Sequence, residues 1–408
     1  MGPPGGPRNR IRCRVTHGSS TPSLETPSLI PGIAVRRRRA RLDIFPCSRE
    51  IAALPSGRRL QRGILMLQCR ARLLAAALIG ATALTVAGGA AAQAKYQLRW
   101  GHYLPDGPFV QLEKDFANRI EKRTNGQVKI NITFAEGLGK GTELLMLTAR
   151  GGIDMTATAP GYNPDQLRYW RAFQTPMLFK STRQVIEVLE KVVEEFPAYR
   201  QEMDRIGVVW LFQQPLGEYY MSGSSADCSS VAGLRGKKVR SFGADIPKAF
   251  TAIGAVPVTV APVGVYEALR NGNLDYSFIN AGNIQSLKLN EVAKTHCGPV
   301  MAISGHNVTI SKRTWSRLPA DIQKIFLEEA RATQREYMNW VGDFETKAVA
   351  NVKSQGGNFV SIPDAELSKW RAASPDFLGD WEKATAAATG DAETPKKVAA
   401  RWRELIGK

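Results

Sequence analysis

Strand-like and helix-like stretches alternate along the later three quarters of this chain. They predict an α/β fold in two lobes, with a ligand cleft between the lobes and a long helix spanning both. Three observations lead there. The 314 residues after Ala94 exceed what one core comfortably holds. A helix, glycine, apolar residue, aspartate and strand follow one another twice, at Gly151-Gly152-Ile153-Asp154-Met155 and at Asn271-Gly272-Asn273-Leu274-Asp275, about 120 residues apart. Apolar residues also recur in steps of three and four from Ile322 to Val352.

The elements follow in order. Tyr96 to Trp100 reads as a strand running into the loop Gly101-His102-Tyr103-Leu104-Pro105-Asp106-Gly107. Phe109 to Thr124 is amphipathic, with Leu112, Phe116 and Ile120 on one face and Gly126 as its cap. Val128 to Phe134 alternates as a half-buried strand does. A helix from Glu143 to Ala149 then stops at the glycine pair, which suits a left-handed cap before a new strand. Val208 to Phe212 is a buried strand, with a crossover between lobes near 214–220 and the return near 300–308. After Pro319 the helical pattern persists to Gly356-Gly357, with a kink expected at Gly342. At 1.5 Å per residue such a helix spans about 50 Å, longer than one lobe. Its spacing drifts from a strict heptad, against a coiled coil.

The front of the chain is different. Arg70 and Arg72 precede an apolar run from Leu73 to Ala87, then Ala92-Gln93-Ala94, a small-residue cleavage site. Residues 66–94 read as a secretory signal peptide, too short in its apolar part to span a bilayer comfortably. Residues 1–65, with the basic run Arg36 to Arg39, show no periodicity that would bury a core, as expected if translation starts at Met66. A twin-arginine signal through Arg58-Arg59 is the alternative. The rest divides into lobe I at 95–215, lobe II at 216–304, a return to lobe I at 305–340, and the spanning and C-terminal helices at 341–408.

Residues 1–94 hold a net charge of +12, which leaves +6 of the chain's +18 for residues 95–408. No basic stripe marks the folded part, so a nucleic-acid partner is not expected. Cys228 and Cys297 remain after the leader in an oxidising compartment, as a disulfide or as two separate buried thiols. His102, His296 and His306 stand in no metal-ligand spacing, and no phosphate loop, dinucleotide fingerprint or serine elbow occurs. Neither a metal nor a cofactor is expected, and no catalytic set emerges. His102, at a strand end facing the expected cleft, is the histidine placed best for ligand contact.

The run Gly233-Leu234-Arg235-Gly236-Lys237-Lys238-Val239-Arg240-Ser241 puts an arginine at the end of a strand. A helix gap, Ile253-Gly254-Ala255-Val256-Pro257-Val258, and Tyr266 to Asp275 follow. An arginine there offers a permanently charged planar fork that matches a carboxylate. This run resembles the substrate-binding proteins of tripartite ATP-independent periplasmic (TRAP) transporters, the dicarboxylate-binding DctP family. The resemblance implies a type II periplasmic binding protein fold, a periplasmic location, no enzyme activity, an organic acid as ligand and integral membrane transporter subunits as partners. It makes Arg240 the carboxylate clamp and Asn280 a second contact. It also implies a strand at Phe173 to Phe179 leading out of the first pocket wall. Members often carry a second arginine after Gly-x, where this chain has Gly217-Glu218-Tyr219. Tyr219 in that place favours one carboxylate on an aromatic or hydroxyl-bearing body. Phe242, Tyr162, Phe278 and Trp170 are aromatic candidates for the pocket, with core packing the competing role. A periplasmic enzyme or a sensor-associated receptor that reuses the fold is the alternative.

Overall fold

The computed structural model describes residues 94–407, so the expected leader and signal segment up to Gln93 lie outside the described residues. The strands are β1 (Tyr96–Gly101), β2 (Val128–Thr133), β3 (Met155–Thr158), β4 (Val208–Pro215), β5 (Tyr219–Gly223), β6 (Lys238–Ser241), β7 (Val256–Thr259), β8 (Tyr276–Asn280), β9 (Thr295–Met301), β10 (Ser304–Ser311) and β11 (Asn358–Val360). They form two mixed sheets, ordered β2-β1-β3-β10-β4 and β11-β9-β5-β8-β6-β7. In the first, β1 pairs in parallel with β2 and β3, while β10 runs antiparallel between β3 and β4. In the second, β6 pairs in parallel with β7 and β8, and β5 runs antiparallel between β8 and β9.

The repeated glycine–aspartate pattern does the same structural work in both sheets. Gly151 and Gly272 adopt φ of +76° and +69°, the left-handed region where a Cβ is strained. Each glycine ends its helix, and the aspartate then locks the opening of a strand to its parallel neighbour. Asp154 N donates to Arg99 O while Arg99 N donates back to Asp154 Oδ2. In the same way Asp275 N donates to Lys238 O, and Lys238 N donates to Asp275 Oδ2. This reciprocal pair fixes strand register before the ladder begins.

The chain passes between the sheets after Pro215 and returns after Met301. It then makes the single helix Ala320–Ser354. That helix packs Ile322, Phe326 and Tyr337 against Phe116 and Phe212 of the first lobe, and Val352 against Ile284 and Leu289 of the second. It runs through Gly342 without interruption. Beyond it, β11 adds a parallel strand beside β9, an element the helical pattern gave no sign of. The helix Asp364–Ala373 stays with the second lobe, where Trp370 Nε1 donates to Ala249 O. The helices Phe377–Thr389 and Glu393–Leu405 go back to the first, where Trp381 and Trp402 join Trp170, Phe173 and Tyr199.

Two expectations are corrected. Phe173 to Phe179 is not a strand: Trp170–Gln174 is a 3-10 turn, Pro176 has no N–H for a ladder, and Met177 takes φ +58°. One bridge from Phe179 to Ala302 is formed instead. Trp170 belongs to the first lobe's core, with its Nε1 donating to Tyr199 O at 3.0 Å, and does not line the pocket.

Cys228 and Cys297 are joined by a disulfide, which ties the turn after β5 to β9 across 69 residues of sequence. Loop closure of that length predicts that Cys228→Ser combined with Cys297→Ser lowers the unfolding free energy by about 4 kcal/mol, measured by urea titration.

Candidate functional site

Parallel pairing of β6 with both β7 and β8 sinks Arg240 to 2% exposure. Its side chain is held by backbone. Nε donates to Val260 O at 2.9 Å and Nη1 to Phe278 O at 2.8 Å, while the Phe242 ring lies 4.9 Å away from the guanidinium carbon. Two carbonyls and one ring face set the plane of the fork, leaving its remaining N–H groups to act as donors. Among the described residues no carboxylate pairs with this guanidinium.

Tyr103 and Tyr162 from the first lobe meet Arg240, Tyr219 and Phe242 from the second around a cavity of about 20 Å³, room for roughly one water. Leu104, Gln174 and Asn283 complete much of its wall. The rings brace one another, Tyr103 edge-on to Tyr162 at 5.5 Å and Tyr162 edge-on to Phe242 at 6.2 Å. Burial pushes the hydroxyls of Tyr103, Tyr162 and Tyr219 up, only partly offset by the Arg240 charge, so all three keep their protons at neutral pH.

The lobes touch beside this cavity. A Cβ on Gly161 would stand 2.6 Å from Gln174 Oε1 and 3.3 Å from Gly243 Cα. Gly243 itself has φ +70°. Arg171 of the first lobe reaches Asp245 of the second at 3.7 Å. Two glycines let the backbones approach, and a partly shielded ion pair bridges the rim.

The structure therefore brings together four of the six residues singled out from sequence, Arg240, Tyr219, Phe242 and Tyr162. Asn280 lies one step behind the wall. It accepts from Asn283 Nδ2 at 2.6 Å and donates to Glu345 Oε1 at 2.7 Å. His102 is fully buried below the pocket and does not line it. His296 is a second-lobe core residue, bonded to Ser222 Oγ at 2.8 Å, and burial together with Lys294 pushes it down to about 4.

Sequence reasoning missed the partners of His102. Glu113 lies fully buried between two histidines, with Oε2 2.9 Å from His102 Nε2 and Oε1 2.7 Å from His306 Nε2. Burial alone would push the Glu113 carboxyl up, but His306 and His102 outweigh it and hold it at about 2. Burial pushes His306 down, so at neutral pH its ring is neutral beside the Glu113 anion. Tyr337 OH also donates to Glu113 Oε1, at 3.3 Å. One signal was available: positions 113, 116 and 120 share the buried face of the helix Gln111–Arg123, and a charge there needs a partner.

The three side chains offer ligand atoms within 4.8 Å of one another, which raises the question of a metal. The hydrogen bonding answers it. Leu104 N donates to His102 Nδ1 at 2.9 Å, so Nδ1 is an acceptor and the ring proton must sit on Nε2. A metal-ligating Nε2 needs the opposite tautomer. With Nδ1 held as an acceptor by Leu104, the cluster does not fit a metal.

Residues 101–383 match the family described as bacterial extracellular solute-binding protein, family 7 (DctP). The C4-dicarboxylate-binding periplasmic protein DctP of Rhodobacter capsulatus is 29% identical over 307 residues, 73% of this chain and 90% of that protein. The fold is similar to DctP7 of Bordetella pertussis, an extracytoplasmic solute receptor binding pyroglutamic acid (TM-score 0.68, 19% identity, 74% of this chain and 99% of that one). It is also similar to a TRAP periplasmic solute-binding protein of Desulfovibrio salexigens with bound orotic acid (TM-score 0.67, 21% identity, 76% of this chain and 100% of that one).

Glu345, behind Asn280, supplies a pH test. Burial pushes its carboxyl up to about 7 against hydrogen bonds from Asn280, Gly282 and Ala281. Between its ordinary 4.5 and about 7 the folded chain holds a proton that the unfolded chain lacks. That contribution is complete below 4.5 and is lost as pH rises through 7. Glu345→Gln stays neutral throughout, so urea midpoints should shift in the variant's favour, relative to wild type, between pH 5 and pH 8. An offset that stays constant with pH would refute the assignment.

Proposed function

Because the chain belongs to the DctP family of bacterial extracellular solute-binding proteins, we propose that it captures an organic acid through an Arg240–carboxylate contact and delivers it to the membrane subunits of a TRAP transporter. The observation that carries this reading is the 98% buried guanidinium with no carboxylate of its own among the described residues. Burying an unpaired charge is costly, and an anionic ligand removes that cost. Two backbone carbonyls prepay the orientation of the fork, so little is lost on pairing.

The cavity holds about one water, so an acid enters only when the lobes part. Opening separates Gly161 from Gly243 and Arg171 from Asp245, with the short links after Pro215 and Met301 as the pivots. Closing brings Tyr103 and Tyr162 down onto a solute seated on Arg240, excludes water and strengthens the ion pair. Tyr219, where relatives often have a second arginine, removes a positive charge from the wall and favours one carboxylate over two. The solved relatives named above carry pyroglutamic acid and orotic acid, which suits this reading.

The family and its solved relatives are solute receptors, which sets aside an enzyme built on the same fold. No described helix is long and apolar enough to cross a membrane, so passage of the solute is assigned to the partner subunits and export of the chain to the signal at 66–94.

Thermal unfolding of the purified protein against mono- and dicarboxylates, keto and hydroxy acids, sugar acids and aromatic acids tests the proposal. An acid at a hundred times its Kd adds about 2.7 kcal/mol, a shift of a few degrees. Arg240→Ala should weaken binding by at least about a hundredfold, because truncating a buried charge partner costs about 3–5 kcal/mol. A shift undiminished in Arg240→Ala would move the carboxylate contact elsewhere, and no shift with any acid class would overturn the reading.

A further inference from the structure

We propose that Tyr103 selects acids that carry a hydrogen-bond donor, a hydroxyl or an N–H, beside the carboxylate, because buried His306, itself donating to Glu113, takes up the only proton of its phenol. The inference rests on the carboxylate reading of Arg240 and narrows its substrate class.

The direction of the proton at Tyr103 follows from His306 and the Glu113 carboxylate behind it. Leu104 N–H donates to His102 Nδ1, which places that ring's proton on Nε2, facing Glu113 Oε2 at 2.9 Å. Glu113 is an acceptor on both oxygens, and its Oε1 takes the His306 Nε2 proton at 2.7 Å. A neutral His306 with its proton on Nε2 has a lone pair on Nδ1. The group facing that lone pair is Tyr103 OH, at 3.2 Å. Tyr103 therefore donates inward, away from the cavity it lines, and its phenol oxygen shows the cavity lone pairs alone. The ring has little freedom to do otherwise, being stacked on His102 at 5.6 Å and set edge-on to both His306 and Tyr162.

The two walls consequently have opposite characters. Arg240 and Tyr162, both in the cavity wall, supply donors for a carboxylate. Tyr103 supplies an acceptor across from them. A 2-hydroxy acid or a lactam acid satisfies both walls at once. A 2-keto acid of the same shape sets a carbonyl oxygen against the phenol oxygen. To accommodate it Tyr103 would have to turn its proton into the cavity and leave the buried His306 Nδ1 unpaired. An unmade buried hydrogen bond of this kind corresponds to roughly a ten- to hundredfold loss of affinity.

The test is calorimetric titration of the purified protein with pairs that differ only at the group beside the carboxylate: lactate and pyruvate, mandelate and phenylglyoxylate, pyroglutamate and its N-methyl derivative. The donor-bearing member of a binding pair should bind at least about tenfold tighter. In Tyr103→Phe that preference should collapse to within about threefold, through weaker binding of the donor-bearing member. A keto acid that binds as tightly as its hydroxy partner, with both lost in Arg240→Ala, overturns this inference and leaves the carboxylate reading standing. Absence of binding by every pair overturns both. A ligand-independent measurement stands beside it: nitrogen NMR of the histidine rings should show His102 and His306 protonated at Nε2 and bare at Nδ1. A proton on His306 Nδ1 would overturn the proposal whatever the ligand.

Discussion

A guanidinium buried without a carboxylate is the constraint around which the second lobe is arranged. Arg240 cannot shed its charge, so the fold surrounds it with what polarity the backbone affords: the carbonyls of Val260 and Phe278 and the face of Phe242. That arrangement requires β6 to lie between β7 and β8, and it requires the tyrosines of the opposite lobe to approach without a competing carboxylate. The site is thus organised around a charge that the protein holds in place and, among the described residues, pairs with no carboxylate; on our proposal a solute neutralises it.

The first lobe meets the opposite problem with the same chemistry. Glu113 is a buried anion whose Oε1 accepts from His306 Nε2 and from the Tyr337 phenol, with His102 Nε2 2.9 Å from its other oxygen. One buried unpaired cation and one buried hydrogen-bonded anion therefore face each other through Tyr103 and the cavity, and the field between them points from the second lobe to the first. An anion in that field is pushed against its direction, toward Arg240 and away from Glu113. On the proposed reading this turns the acid end of a solute toward the Arg240 wall without any contact to its far end.

Much of this was legible in the sequence. The Gly-x-x-Asp pattern announced two similarly built sheets, because a left-handed glycine and a strand-opening aspartate are local requirements that leave a local mark. Arg240 was legible for the same reason, being tied to the end of a strand. Elements made by long-range contacts were not. β11 is three residues long, too short for periodicity, and exists because β9 offers an edge. Phe173 to Phe179 has a strand's composition, but Pro176 and the backbone at Met177 prevent a ladder. His102 was singled out for ligand contact, but it is buried away from the cavity wall beside Glu113 and His306, which lies 193 residues beyond Glu113 in sequence. No local pattern encodes a pairing of that range, although the charge on a buried helical face was there to be read.

The C-terminal helices have a consequence for how the molecule comes into being. Trp402, six residues from the end, packs 4.6 Å from the Phe173 ring in the first lobe. The lobe that begins first is therefore finished last, since its aromatic core stays open until the final helix has been made. A chain growing from its N-terminus passes through a long interval in which no complete lobe can close around its core.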